Sequence, residues 1–180
     1  MFMTAVNQLF KVRYLLYIFL YIATLPVYAQ QRKGHAVQAN IIYHFTKYIN
    51  WPGHMKSGDF VIGVIGEPHL AEELEKAVAR KTAGSQRIVV QLFNTGESQY
   101  PCHILFLADA ESNYLKKLVA ATSDQPVLLV SETEGAAHRG SCINFVIVDD
   151  RLRLEINKTN IDKRNLSIAT ELLQLGKVIK

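Results

Sequence analysis

The stretch that decides the fold is Pro126–Asn157, PVLLVSETEGAAHRGSCINFVIVDDRLRLEIN. It holds three short runs: Val127–Val130, Ile143–Val148 and Arg151–Asn157. The last alternates strictly, with Arg151, Arg153 and Glu155 on one side and Leu152, Leu154 and Ile156 on the other. A period of two marks a half-buried strand. Asp149-Asp150 leaves room only for a tight turn, so the second and third runs predict an antiparallel hairpin. Val127–Val130 is short and uniformly apolar, which places it inside a sheet covered on both sides.

Working outward, the chain supplies partners for these strands. Ala36–Asn50 carries Val37, Ile41, Ile42, Phe45, Tyr48 and Ile49 in a wide helical stripe that Pro52 ends. Phe60–Gly66, Arg87–Phe93 and His103–Leu107 predict strands, and Leu70–Ala79 and Glu111–Ala121 predict helices. After a turn through Lys158–Asn165, a last helix is expected near Ile168–Val178. Strand, helix, strand, strand, helix, strand is the order of an α/β layered fold. Its sheet is expected to be largely parallel at the centre, with the antiparallel hairpin at its edge.

The start of the chain looks like an address. Lys11 and Arg13 precede the uncharged run Tyr14–Leu25, and Val27-Tyr28-Ala29 fits a small-residue cleavage site before Gln30. The apolar run is shorter than the roughly 20 residues of a spanning helix. Residues 1–29 therefore read as a cleaved signal peptide and 30–180 as one exported domain, with no membrane insertion after cleavage. Loss of Lys11 and Arg13 leaves 18 of the 20 basic residues against 16 acidic ones. With no basic cluster interleaved with aromatics, nothing points to nucleic acid.

Few residues carry a recognisable chemistry. Gly63-Val64-Ile65-Gly66 lacks the third glycine of a dinucleotide fingerprint, and Glu67 and Pro68 oppose phosphate binding. No G-x-S-x-G elbow is present, and the six histidines show no metal-ligand spacing. Cys102 and Cys142, in an oxidising compartment, leave two alternatives: a disulfide or other redox thiol chemistry, or two buried thiols. Each precedes an apolar strand. If the Val127 strand lies between those strands, their ends stand about 9–10 Å apart, beyond the reach of a bridge.

Three surfaces are candidates for a site. Tyr43, Tyr48 and Trp51 form either a binding edge or a helix packed on the sheet with Trp51 plugging its end. The strand ends Gly66-Glu67, Ala108-Asp109 and Ser131-Glu132 would gather acids where an open α/β sheet binds ligands. Such acids suit an amine, in a small-solute-binding module, or they are solvated loops. The polar hairpin face of Arg151, Arg153 and Glu155 is the third surface.

Several pieces, taken in order, resemble the YfiR family of exported regulatory domains. They are Tyr43–Pro52, Cys102–Phe106, Val127–Ser131, Gly140 with Ile143–Val146, Arg153–Asn157 and Leu172–Leu175. The resemblance spans about Ala36–Val178. It departs at Gly135-Ala136-Ala137, where the family has Gly-Phe-Ala, at Gly140-Ser141-Cys142 for Gly-Gly-Met, and at Ala169-Thr170 for Ser-Ser. The resemblance implies a periplasmic protein with a three-layer Rossmann-like sandwich, often a homodimer, without cofactor or catalysis. It implies binding to the periplasmic part of an inner-membrane diguanylate cyclase and repression of cyclic-di-GMP synthesis, with effects on biofilm. Some members pair with sensor kinases instead.

Overall fold

The structure is a computed structural model and describes residues 34–179; the expected signal peptide lies outside them. Helix α1 (34–48) runs straight into β1 (Ile49–Asn50). There follow β2 (Phe60–Ile65), α2 (Pro68–Val78), β3 (Thr82–Ala83), β4 (Gln86–Leu92), β5 (Ile104–Leu107) and α3 (Leu115–Ala121). Then come β6 (Leu128–Ser131), β7 (Ile143–Val148), β8 (Arg151–Asn157), α4 (Lys158–Asp162), β9 (Ser167–Ile168), α5 (Thr170–Leu175) and β10 (Lys177–Ile179).

The result is a mixed α/β fold. Eight strands form one mixed sheet in the order β10-β8-β7-β6-β5-β2-β4-β3, and β1 and β9 form a small antiparallel sheet. β2 is parallel to both β4 and β5, β6 is parallel to β5 and β7, and β10 is parallel to β8. β7–β8 and β3–β4 are antiparallel.

Local chemistry sets these elements. Asp149 (φ 50°) and Asp150 (φ 56°) both sit in the left-handed region. That is the primed turn whose twist suits a two-residue hairpin, and aspartate tolerates it. At the start of α2, Glu67 accepts the His69 N–H at 3.2 Å, and Pro68 follows at the first helical position.

The register puts Val64, Phe106 and Val130 side by side on one face of the sheet, with Phe145 opposite Leu154 further along. Helix α1 lays Phe45 on Phe145, centroids 6.3 Å apart, and Phe145 meets Phe106 at 6.4 Å. All three rings are buried, each contributing roughly 2–3 kcal/mol of apolar transfer energy. Helix α3 and the 3₁₀ turn at Ala136–Arg139 lie on the other face, where Asn157 Nδ2 donates to Ala137 O. There Gly63 is required: a Cβ would stand 2.7 Å from the Phe93 ring and 2.9 Å from Leu105 Cδ1.

Three expectations need correction. The hairpin is not the edge of the sheet, because β10 pairs with the outer side of β8 through Lys177↔Glu155 to Ile179↔Asn157. The last helix is only Thr170–Leu175. Ile168 before it belongs to β9, and beyond Gly176 the chain pairs as β10 rather than extending a marginally short helix. The turn after Asn157 contains α4, which Asn157 caps by accepting the Asn160 N–H at 3.0 Å.

Candidate functional site

Helix α1 carries two apolar seams. Ala39, Ile42 and Phe45 are buried, as is Ile49 of β1 just beyond the helix. Val37, Ile41, His44 and Tyr48, spaced i, i+4, i+7 and i+11, lie beside them on the outer flank, and Val37 is 51% exposed. Of these, Ile41 and Tyr48 are half-buried and pack against the core. Ile41, His44, Phe45 and Tyr48 form one wall of a groove of about 310 Å³. Leu152 and Leu154 of β8 line it, α5 closes it with Leu172 and Leu175, and Arg153 joins the lining. The apolar surface continues past Leu152 to Ile147, its partner across the hairpin, which is 69% exposed; Leu175 is 67% exposed. Of these exposed aliphatics Leu175 lines the groove itself, while Ile147 lines a neighbouring one together with Leu152. Arg151 and Arg153 are exposed and have no ion-pair partner among the described residues.

Of the aromatic edge, only Tyr48 lies in this groove. Tyr43 is 8% exposed, with the Lys47 and Lys81 ammonium groups over its ring at 5.1 and 4.1 Å. Trp51 is also buried. It meets Phe60 edge-on at 4.9 Å and donates from Nε1 to His103 O at 3.3 Å. Both are packed into the core.

The strand-end acids do not gather around a free space. Glu67 caps α2 and stands 3.8 Å from His35 Nε2. Glu132 accepts Gln38 Nε2–H at 2.8 Å and the Asp109 backbone N–H at 3.3 Å. Ser131 is fully buried, 2.9 Å from both Ser141 Oγ and Asn144 Oδ1. The face of Arg151, Arg153 and Glu155 does point outward, with Glu155 half-buried and 3.5 Å from Asn144 Nδ2. A second groove of about 420 Å³ beyond β6 and β7 carries Glu132, Glu134 and Glu155 with Gln38.

The titratable groups of the core are insulated rather than poised. Cys102 and Cys142 are free, buried thiols just before β5 and β7, strands separated by β6, and burial raises the pKa of both. Thiolate chemistry needs the reverse shift. His103 Nδ1 accepts the Val61 N–H at 3.1 Å, which fixes Nε2 as the donor to Met55 O at 2.9 Å. Burial lowers its pKa, and its ring stacks on Phe60 at 4.2 Å. Among the described residues, no three His, Cys, Asp or Glu side chains stand together to hold a metal ion. No helix there is long and apolar enough to cross a membrane.

These features define an α/β domain with an apolar groove between α1, β8 and α5, and with both thiols and His103 buried. The family model described as YfiR/HmsC-like matches residues 35–177, and the chain belongs to that family. No curated protein matches it.

The sequence reading missed Ile41, His44, Leu152, Leu172 and Leu175. For Ile41 and His44 the signal is the second seam on α1, since one helical face cannot bury both Val37–Tyr48 and Ala39–Phe45 against a single sheet; Leu152, Leu172 and Leu175 lie on other elements and carry no such signal.

Proposed function

We propose that this chain is a non-catalytic periplasmic regulator. In this reading one exported domain, residues 30–180, binds the periplasmic part of an inner-membrane signalling protein of the diguanylate cyclase type and represses its cyclic-di-GMP output. The family supports a regulatory role, and the run of parallel pairs from β4 to β7 with helices on both faces is compatible with a Rossmann-like sandwich. The observation that carries the proposal is the apolar groove between α1, β8 and α5, with Leu175 exposed at its rim. A binding protein regulates by favouring one of two states of its partner, and a modest apolar centre with a basic rim suffices for that.

The test is capture of detergent-solubilised inner membrane by the tagged protein, read by mass spectrometry. Recovery of a membrane protein with a periplasmic loop and a cytoplasmic cyclase or kinase domain supports the reading. Clean failure with folded bait moves the balance to a solute-binding module. Its place would be the second groove, where Glu132, Glu134 and Glu155 suit an amine. Calorimetry against a panel of small amines separates that reading, since a solute binder responds without a protein partner.

A further inference from the structure

On the side of the sheet away from the groove, β4 is an almost bare edge. β3 covers only Gln86 and Arg87, leaving Ile88-Val89-Val90-Gln91-Leu92 with no strand beside it. The Phe93 N–H bonds Val64 O across to β2 at 2.9 Å. Because successive residues alternate sides along a strand, Ile88, Val90 and Leu92 turn their N–H and C=O outward. Natural edges are guarded by lysine, proline or a bulge. Residues 88–92 contain neither lysine nor proline, their register against β2 is unbroken, and Leu92 is 55% exposed.

Beside this edge runs a trough of about 370 Å³, walled by Val78, Ile88 and Val90. Its end is basic. Arg80 and Lys81, in the turn between α2 and β3, line it there, are exposed, and pair with no acid among the described residues. Arg87 at the same end is already held by Asp59 at 2.7 Å. The open stretch is therefore aliphatic along its length and carries free cations where β3 stops it.

We propose that this edge takes up an extended segment of another polypeptide as an added antiparallel strand, aliphatic at alternate positions and acidic at its carboxyl end. An antiparallel strand runs toward Gln86, so β3 halts it with its last residues beside Arg80 and Lys81. Its alternate residues exchange main-chain hydrogen bonds with Ile88, Val90 and Leu92, which supply affinity, and their side chains enter the trough. The cations select the occupant. A second copy of β4 laid antiparallel on this edge would bring Phe93 and Asn94 to that end, and neither is acidic. The contact lies apart from the α1–β8–α5 groove and holds whatever that groove binds.

The probe is a fluorescein-labelled synthetic peptide, Thr-Val-Thr-Val-Thr-Val-Glu-Glu, titrated with the purified protein and read by anisotropy. Saturable binding is expected. It should vanish when the valines are N-methylated, because each then loses the N–H that bonds β4, and this control leaves the protein unaltered. Replacing Glu-Glu by Lys-Lys should weaken binding at least tenfold, and Arg80→Glu/Lys81→Glu should reverse that order. Amide exchange followed by NMR should show the Ile88, Val90 and Leu92 N–H groups slowed by the peptide. No saturable binding, binding kept by the N-methylated peptide, equal binding of the two charge forms, or protection confined to other strands overturns the proposal. So does an edge already closed by a second copy, seen in sedimentation as a dimer that excludes the peptide.

Discussion

Replacing Trp51 by Phe separates packing from partner binding at the residue where the sequence left both readings open. Trp51 is 7% exposed, and its indole N–H donates to His103 O. Phenylalanine keeps an aromatic ring against Phe60 but gives up that bond and part of the buried area. The His103 carbonyl is not orphaned, since it also accepts the Leu128 N–H at 2.8 Å. The cost is therefore one neutral hydrogen bond plus a fraction of a ring, about 1–2 kcal/mol. For a domain of this size that lowers Tm by about 3–8 °C. Trp51→Ala opens a cavity in the same place and costs about 3–5 kcal/mol. Thermal unfolding followed by circular dichroism measures both; fluorescence serves only the wild type, because Trp51 is the sole tryptophan. Capture of the membrane partner by folded Trp51→Phe is expected to match the wild type. A variant with unchanged Tm but lost capture would refute the packing assignment.

Three further outcomes follow from the structure. Leu175→Glu is expected to leave stability within about 0.5 kcal/mol, since the side chain is mostly exposed, and to abolish partner capture. Leu175→Ala weakens capture by about tenfold, about 1.4 kcal/mol. For His103 the folded pKa lies below the usual value near 6.5. Above that pH both folded and unfolded states are neutral. As pH falls toward the folded pKa, only the unfolded state takes the proton, so stability declines by at most about 1.4 kcal/mol per pH unit. Urea midpoints at pH 7.5, 6 and 5 check this, and His103→Gln is expected to flatten the decline. Cys102 and Cys142 are expected to resist a thiol reagent in the native protein and to react together on unfolding, while a reducing agent leaves partner capture unchanged. Rapid native labelling of either would contradict their insulation.

The strands and the hairpin were legible because burial imposes a period the side chains must follow: Leu154 and Ile156 are buried where alternation put them, and Arg151 and Arg153 are exposed. The ends of the chain were not. Lys177–Ile179 is too short to show any period, and β10 exists because β8 had an unpaired side to offer, which no local pattern records. For the acids at the strand ends the sequence left a ligand cluster and solvated loops both open. Whether Glu132 is free depends on Gln38, 94 positions earlier in the chain. Tyr43 and Trp51 carried the same ambiguity, since an aromatic near a helix end serves a core or an interface equally well until its neighbours are known. The groove was the least visible feature. Its walls come from α1, β8 and α5, and each segment alone is an ordinary amphipathic element.

The central claim is that the α1–β8–α5 groove docks an inner-membrane signalling protein. The direct measurement is photo-crosslinking in cells, with a photoreactive residue at position 175 and a control at exposed Gly84, which lies between β3 and β4. The account predicts an adduct from position 175 to a membrane protein that has a periplasmic loop and a cytoplasmic signalling domain, with none from position 84. Adducts from position 84 alone, or none at 175 with the protein present at normal levels, would contradict it.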